Sequence, residues 1–260
     1  MKKPIRLTIV FLLLSISPVL AIQERSITGL GAEKKVRAEL IMPEGKGPFP
    51  GILVLHTNNG IKKYDIAYAQ ELAKKGYACL IPHYFEPYSI TYDTHNWATA
   101  AYSENILNDF EAEVQYLKKQ PFIKKGRIGA VGFSMGGYWA LILAAKSAVR
   151  AAVSYYGELA GGGLGSGEFK YRFINTFSKT SSPVLILHGE DDMAVNVKYA
   201  QQLADMLKAK ACTYVLKTYP GAGQRFDRGA SLHVSAAKDS WSRTLDFLKK
   251  YLKDQTAGGK

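Results

Sequence analysis

The sequence has 260 residues, 47% of them hydrophobic and 22% charged, with 24 glycines and 10 prolines. That profile supplies one full apolar core and excludes a disordered chain, a collagen repeat and a long coiled coil. The formal net charge is +12, but the cations lie in scattered pairs such as Lys34-Lys35, Lys62-Lys63 and Lys124-Lys125. Without a basic block or an RNA-binding signature, no nucleic-acid partner is expected.

At the N-terminus Lys2, Lys3 and Arg6 precede the apolar run Leu7 to Leu14, and Val19-Leu20-Ala21 closes the segment. This order of cations, apolar stretch and small residues reads as a signal peptide over residues 1–21, cleaved after Ala21. Ser15, Ser17 and Pro18 interrupt the run, which falls short of the roughly 20 apolar residues a span needs. The expectation is a secreted or periplasmic protein, residues 22–260 forming one domain, with no stable membrane insertion after cleavage.

From residue 34 onward, strand-like runs fall at Val36 to Met42, Gly51 to His56, Tyr77 to Pro82, Arg127 to Gly132, Ala151 to Tyr155, Val184 to His188 and Thr213 to Tyr219. Most are short continuous apolar runs, the pattern of strands buried on both faces. Helical periodicity separates them: Ile106, Phe110, Val114 and Leu117 on one face, then Met135 to Lys146, Val197 to Lys208, and a last helix with Trp241, Leu245, Leu248 and Leu252 in one stripe. The alternation predicts an α/β fold with a mostly parallel central sheet and helices on both faces. The Gly-rich run 161–167 lacks the ending of a phosphate loop and reads as a flexible connection that could border a site at the strand ends.

One segment carries chemistry. Arg127 to Gly132 is an apolar strand that enters Gly132-Phe133-Ser134-Met135-Gly136 and then the helical run Trp139 to Ala144. A serine on so tight a turn needs small neighbours for strand and helix to approach, and the helix that follows offers its first amides to a developing oxyanion. Ser134 is therefore the candidate nucleophile. After the strand Val184 to His188, the run Gly189-Glu190-Asp191-Asp192 supplies three acids. Asp192, midway between Gly189 and Val195, is the best candidate for the orienting carboxylate in a Ser, Asp, His chain order. Cys79 and Cys212 show neither metal-ligand nor redox spacing, and no cofactor motif or metal site is expected.

Together with Leu53-Val54-Leu55-His56, the Gly60 turn, Leu72 to Tyr77, Ile81 to Phe85, and Tyr219-Pro220-Gly221-Ala222-Gly223 with Phe226-Asp227, these motifs resemble the dienelactone hydrolase family of the α/β-hydrolase superfamily. The resemblance runs from about Lys34 to Leu252. It implies an α/β-hydrolase fold, a triad of nucleophile, Asp and His, and an oxyanion hole from the amides of Met135 and Thr57, with Asn58 a near alternative to Thr57. It also places the strands of Cys79 and Cys212 far apart, so both thiols are expected free.

Two positions depart from the family pattern. Ser134 stands where dienelactone hydrolases carry Cys, which favours a serine esterase acting on a small ester or lactone. Gln224 stands where the family has its histidine, and an amide is not basic enough to take a serine proton near neutral pH. His233, nine residues later at the start of the final helix, is the substitute candidate. His56 and His188 are read as residues holding loops at strand ends, and His83 and His95 as residues able to line a pocket with Tyr84, Glu86, Tyr88 and Trp97. The alternative is a catalytically impaired pseudoenzyme or small-molecule binding protein on the same scaffold.

Overall fold

The computed structural model describes residues 23–157 and 176–253, apart from the Trp97 side chain. The signal peptide expected at 1–21 and the Gly-rich run at 161–167 lie outside the described residues. Eight strands form one sheet: β1 (Gln23–Ile27), β2 (Ala38–Met42), β3 (Phe49–Leu55), β4 (Ala78–Pro82), β5 (Ile123–Phe133), β6 (Ala152–Tyr155), β7 (Val184–Gly189) and β8 (Tyr214–Tyr219). Their order is β1-β2-β4-β3-β5-β6-β7-β8. From β4 to β8 all pairs are parallel, while β2 runs antiparallel to β1 and β4.

Among the described residues the α-helices are α1 (Lys63–Lys74), α2 (His95–Ala101), α3 (Ser103–Lys119), α4 (Met135–Ala145), α5 (Lys198–Ala209) and α6 (Val234–Leu248). Successive strand residues point to opposite faces, and β3 shows why its run is continuously apolar: Leu53 and Leu55 enter one core, Ile52 and Val54 the other. The first core takes the α3 stripe of Ile106, Phe110, Val114 and Leu117 with α4 and α5. The second takes Ala69, Leu72 and Ala73 of α1 and Phe247 and Leu248 of α6. All eleven residues of α4 are buried, as expected of a helix that is apolar all round.

The α/β fold with a mostly parallel, doubly covered sheet is thus the one the periodicity predicts. The periodicity reading does not place helices α1 and α2, nor β1, whose residues are almost wholly exposed and which pairs with β2 at the sheet edge. The strand predicted at Arg127 to Gly132 is also longer, running from Ile123 through half-buried Lys124 and exposed Lys125. From β3 the chain moves to β4 on one side and then returns to β5 on the other. This reversal opens a crevice at the carboxyl ends of β3 and β5, where open α/β sheets bind ligands.

Candidate active site

Ser134 sits in that crevice, on the turn between β5 and α4, with φ 53° and ψ −115°. Positive φ is costly for a serine, and the surroundings hold it there. Its amide donates to the Tyr155 carbonyl at 2.9 Å and its carbonyl accepts from Tyr138 at 3.1 Å, which starts the helix. A Cβ on Gly132 would lie 1.9 Å from the Gly136 carbonyl oxygen. The two glycines of the motif are therefore a packing requirement of the turn.

Met135, the first residue of α4, carries one of the amides that a helix leaves without an intrahelical partner. Thr57 lies two residues beyond β3 and is 8% exposed; its carbonyl is 2.6 Å from His56 Nδ1. Asn58, the alternative to Thr57, has its side-chain Nδ2 3.0 Å from His95 Nε2. α2, which carries His95 at its start, also reaches the turn through Thr99, whose hydroxyl lies 3.7 Å from Met135 Sδ.

Asp192 comes from the loop between β7 and α5 and is 4% exposed. Its Oδ1 accepts the amides of Ala194 at 2.9 Å and Val195 at 2.8 Å, so the loop itself fixes the carboxylate. His188 Nε2 lies 3.5 Å from Oδ2 and 2.8 Å from the Val195 carbonyl. Burial pushes the Asp192 carboxyl above its ordinary range and the His188 imidazole below its own.

Gln224, on the loop between β8 and α6, fills the space between the serine and the acid, and its amide lies 3.2 Å from Ser134 Oγ. Only one orientation of the amide satisfies both neighbours. In it Nε2 donates to both oxygens of Asp192, at 3.2 Å from Oδ1, and Oε1 accepts the Ser134 hydroxyl at 3.2 Å. The structure thus brings Ser134 and Asp192 together through residue 224.

His233 is the N-cap of α6. Its Nδ1 lies 3.4 Å from the Ala236 amide and 3.3 Å from Ser235 Oγ. Among the described hydrogen bonds none joins it to Ser134 or Asp192. His56 stacks on Tyr84 with centroids 3.9 Å apart, and its complete burial holds its pKa down to about 3. His83 belongs to an ion cluster with Arg37, Glu39 and Glu86. Tyr84 and Tyr88 are buried in the first core.

One residue of the crevice escapes sequence reading. Arg228 is 7% exposed, donates to Asp65 and Asp227 at 2.8 Å each, and lies over the Phe133 ring with its guanidinium carbon 3.6 Å from the centroid. Asp227 also accepts the Tyr156 hydroxyl at 2.7 Å. The signal was the charged pair Asp227-Arg228 set directly after the apolar Phe226. With Lys62, Lys63, Arg225 and Asp65, Arg228 lines a cavity of about 350 Å³ that reaches Thr57, so the lining carries four basic residues and one acid. Among the described residues no group of three or more His, Cys, Asp or Glu could hold a metal ion.

Residues 36–252 match the model of the dienelactone hydrolase family. The chain is 27% identical over 240 residues to a Bradyrhizobium protein named "Probable 2-oxo-3-(5-oxofuran-2-ylidene)propanoate lactonase", covering 86% of this chain and 92% of that one. It is 27% identical over 222 residues to the carboxymethylenebutenolidase of Pseudomonas putida, covering 80% and 89%. Among solved structures, the dienelactone hydrolase of Anabaena variabilis superposes with a TM-score of 0.68 at 19% identity, covering 89% of this chain and 99% of that one. The matched span takes in the Ser134 turn, the Asp192 loop and the Gln224 loop, and the chain belongs to the dienelactone hydrolase family.

Proposed function

We propose that the chain hydrolyses a small carboxylic ester or lactone, with Ser134 as nucleophile and an acyl-enzyme as intermediate. Family membership supports a hydrolase acting on lactones or esters. The observation that carries the serine mechanism is the strained Ser134 turn, whose hydroxyl is tied through Gln224 to the buried carboxylate of Asp192. Ser134 Oγ attacks the carbonyl carbon, and the amides of Met135 and Thr57 take the oxyanion. The leaving oxygen departs, and water then releases the acid from Ser134.

Lys62, Lys63 and Arg225 line the cavity that reaches Thr57 and favour a substrate that carries a negative group, since cations lining a crevice concentrate anions there. The substrate named for the Bradyrhizobium relative is a propanoate. The N-terminal run of cations and apolar residues supports an exported enzyme.

Gln224 favours a second reading, a binding protein that keeps the crevice and has lost turnover, because an amide is a poor base. Turnover of a panel of short aryl esters and enol lactones, measured beside Ser134→Ala, tests the choice. Turnover that vanishes with Ser134 supports the hydrolase, and a fluorophosphonate adduct located on Ser134 by mass supports an activated hydroxyl. Rates equal to Ser134→Ala across the panel, with no adduct, overturn it in favour of binding.

A further inference from the structure

A primary amide has an acceptor end and a donor end, the same polarity as a neutral imidazole placed between a serine and an acid. Gln224 uses both ends: Oε1 toward the Ser134 hydroxyl at 3.2 Å and Nε2 toward the Asp192 carboxylate. The result is one continuous line, O–H to O=C–N–H to carboxylate. Asp192 is built to end it. Its Oδ1 already accepts the amides of Ala194 and Val195, and Oδ2, with His188 Nε2 3.5 Å away, is the closer of the two oxygens to Gln224 Nε2.

An amide differs from imidazole in that it cannot keep an added proton. A proton arriving at Oε1 is accommodated only if one leaves from Nε2, and the acceptor for the leaving proton is already in contact. We propose that Gln224 is a proton-relay residue, passing the Ser134 hydroxyl proton to Asp192 through its amide; this rests on the serine-hydrolase reading above.

As the bond from Ser134 Oγ to the substrate carbonyl carbon forms, the O–H bond breaks and its proton joins Gln224 Oε1. In concert, an Nε2–H bond breaks and that proton joins Asp192 Oδ2. Gln224 is then in its imidic acid form, Asp192 is neutral, and the negative charge has moved to the substrate oxygen facing Met135 and Thr57. When the bond to the leaving oxygen breaks, that oxygen takes the proton from Gln224 Oε1, and Asp192 returns its own to Nε2. Water repeats the cycle on the acyl-serine, giving the free acid and restoring all three residues. Burial of Asp192, which raises its proton affinity, works in the same direction.

The test compares kcat for the full chain, Ser134→Ala, Gln224→Met, Asp192→Asn and Gln224→His on the ester and lactone panel, with thermal melts establishing that each is folded. Gln224→Met keeps the length of the side chain and removes both ends of the relay. The expected result is a loss of about 100-fold or more in kcat for Gln224→Met and for Asp192→Asn, with the double variant no worse than either. Gln224→His is expected to raise kcat and to acquire an acid limb in its pH profile near the imidazole value of about 6.5, absent from the parent. A proton inventory on the unaltered protein needs no variant, and its curve bows if two protons move together. Gln224→Met within about threefold of the parent, with Ser134→Ala inactive, overturns the relay and leaves the hydrolase. A linear inventory also overturns it. A parent indistinguishable from Ser134→Ala overturns both.

Discussion

A Cβ placed on Gly136 would lie 2.1 Å from the carbonyl oxygen of Leu55. The helix that begins beside Ser134 and the strand that leads to Thr57 therefore touch backbone to backbone, and this contact sets how closely the two proposed oxyanion amides approach. Gly136→Ala must push α4 away from β3. Overpacking of this kind costs roughly 1–3 kcal/mol, and a displacement of about 1 Å at a reacting centre costs on the order of 100-fold in rate. Urea unfolding and turnover of the same preparation check both, and a variant with unchanged turnover refutes the role given to this contact.

Arg228 supports the crevice from beneath. Its removal strands the buried Asp65 and also Asp227, whose side chain is 7% exposed, and breaking one side of a buried ion pair costs roughly 3–5 kcal/mol. Arg228→Met is expected to be destabilised by about that amount at pH 7 in urea unfolding. Burial already raises the Asp65 pKa against the pull of Arg228. Without the arginine it rises further. A carboxyl whose folded pKa exceeds its unfolded value favours folding more as pH falls through the folded value. The deficit should therefore narrow on acidification, and a deficit that widens toward pH 5 contradicts this account.

The parts of this molecule that sequence reveals are those where burial or sterics leaves one choice. Ile52 to Leu55 is apolar at every position because β3 is covered on both faces, and Gly132 and Gly136 flank Ser134 because no side chain fits there. β1 is hidden because Gln23 to Ser26 are exposed and the strand is held by backbone pairing to β2. The position of Gln224 is legible from the Tyr219 to Gly223 run before it, but its double contact is not, since the direction of one side chain is set by two loops far apart in sequence. Arg228 is missed for a general reason. An arginine is read as surface, and only the meeting of α1, β5 and the loop after β8 shows that it is enclosed by two carboxylates and a ring.

His56 makes the fold sensitive to acid. Its imidazole is 1% exposed and burial lowers its pKa to about 3, against about 6.5 unfolded. Between those values the unfolded chain binds a proton that the folded chain refuses, so stability is lost as pH falls below 6.5. The slope is about 1.4 kcal/mol per pH unit, or about 2 kcal/mol by pH 5. His188, also lowered by burial, acts in the same direction. Urea unfolding at pH 7.5 and 5.0 should show a pH-dependent loss in the parent that is smaller by about 2 kcal/mol in His56→Gln. Equal losses in the two proteins would remove His56 as the cause.

Cys79 is buried in β4, and Cys212 is partly exposed before β8; neither is paired. Burial pushes both thiols up, so each is mostly protonated at neutral pH. Intact mass after alkylation is expected to show one label on the folded protein, at Cys212, and two in urea. A native mass short by two hydrogens would contradict the free-thiol assignment.

His233 separates a structural from a chemical role cleanly, because asparagine caps helices well and cannot act as a base. As the N-cap of α6, His233 turns its Nδ1 toward the Ala236 amide. His233→Ala should then cost about 1 kcal/mol or less of stability, the bond being long, while His233→Asn should restore it. Under the relay, turnover in both variants stays within a few-fold of the parent once the folded fraction is equal. If His233 instead swings over Ser134 when substrate binds, both variants lose turnover by about 100-fold or more and asparagine gives no rescue. The pair of rates, read beside the pair of unfolding free energies, decides between the two roles without any assumption about the resting position of the ring.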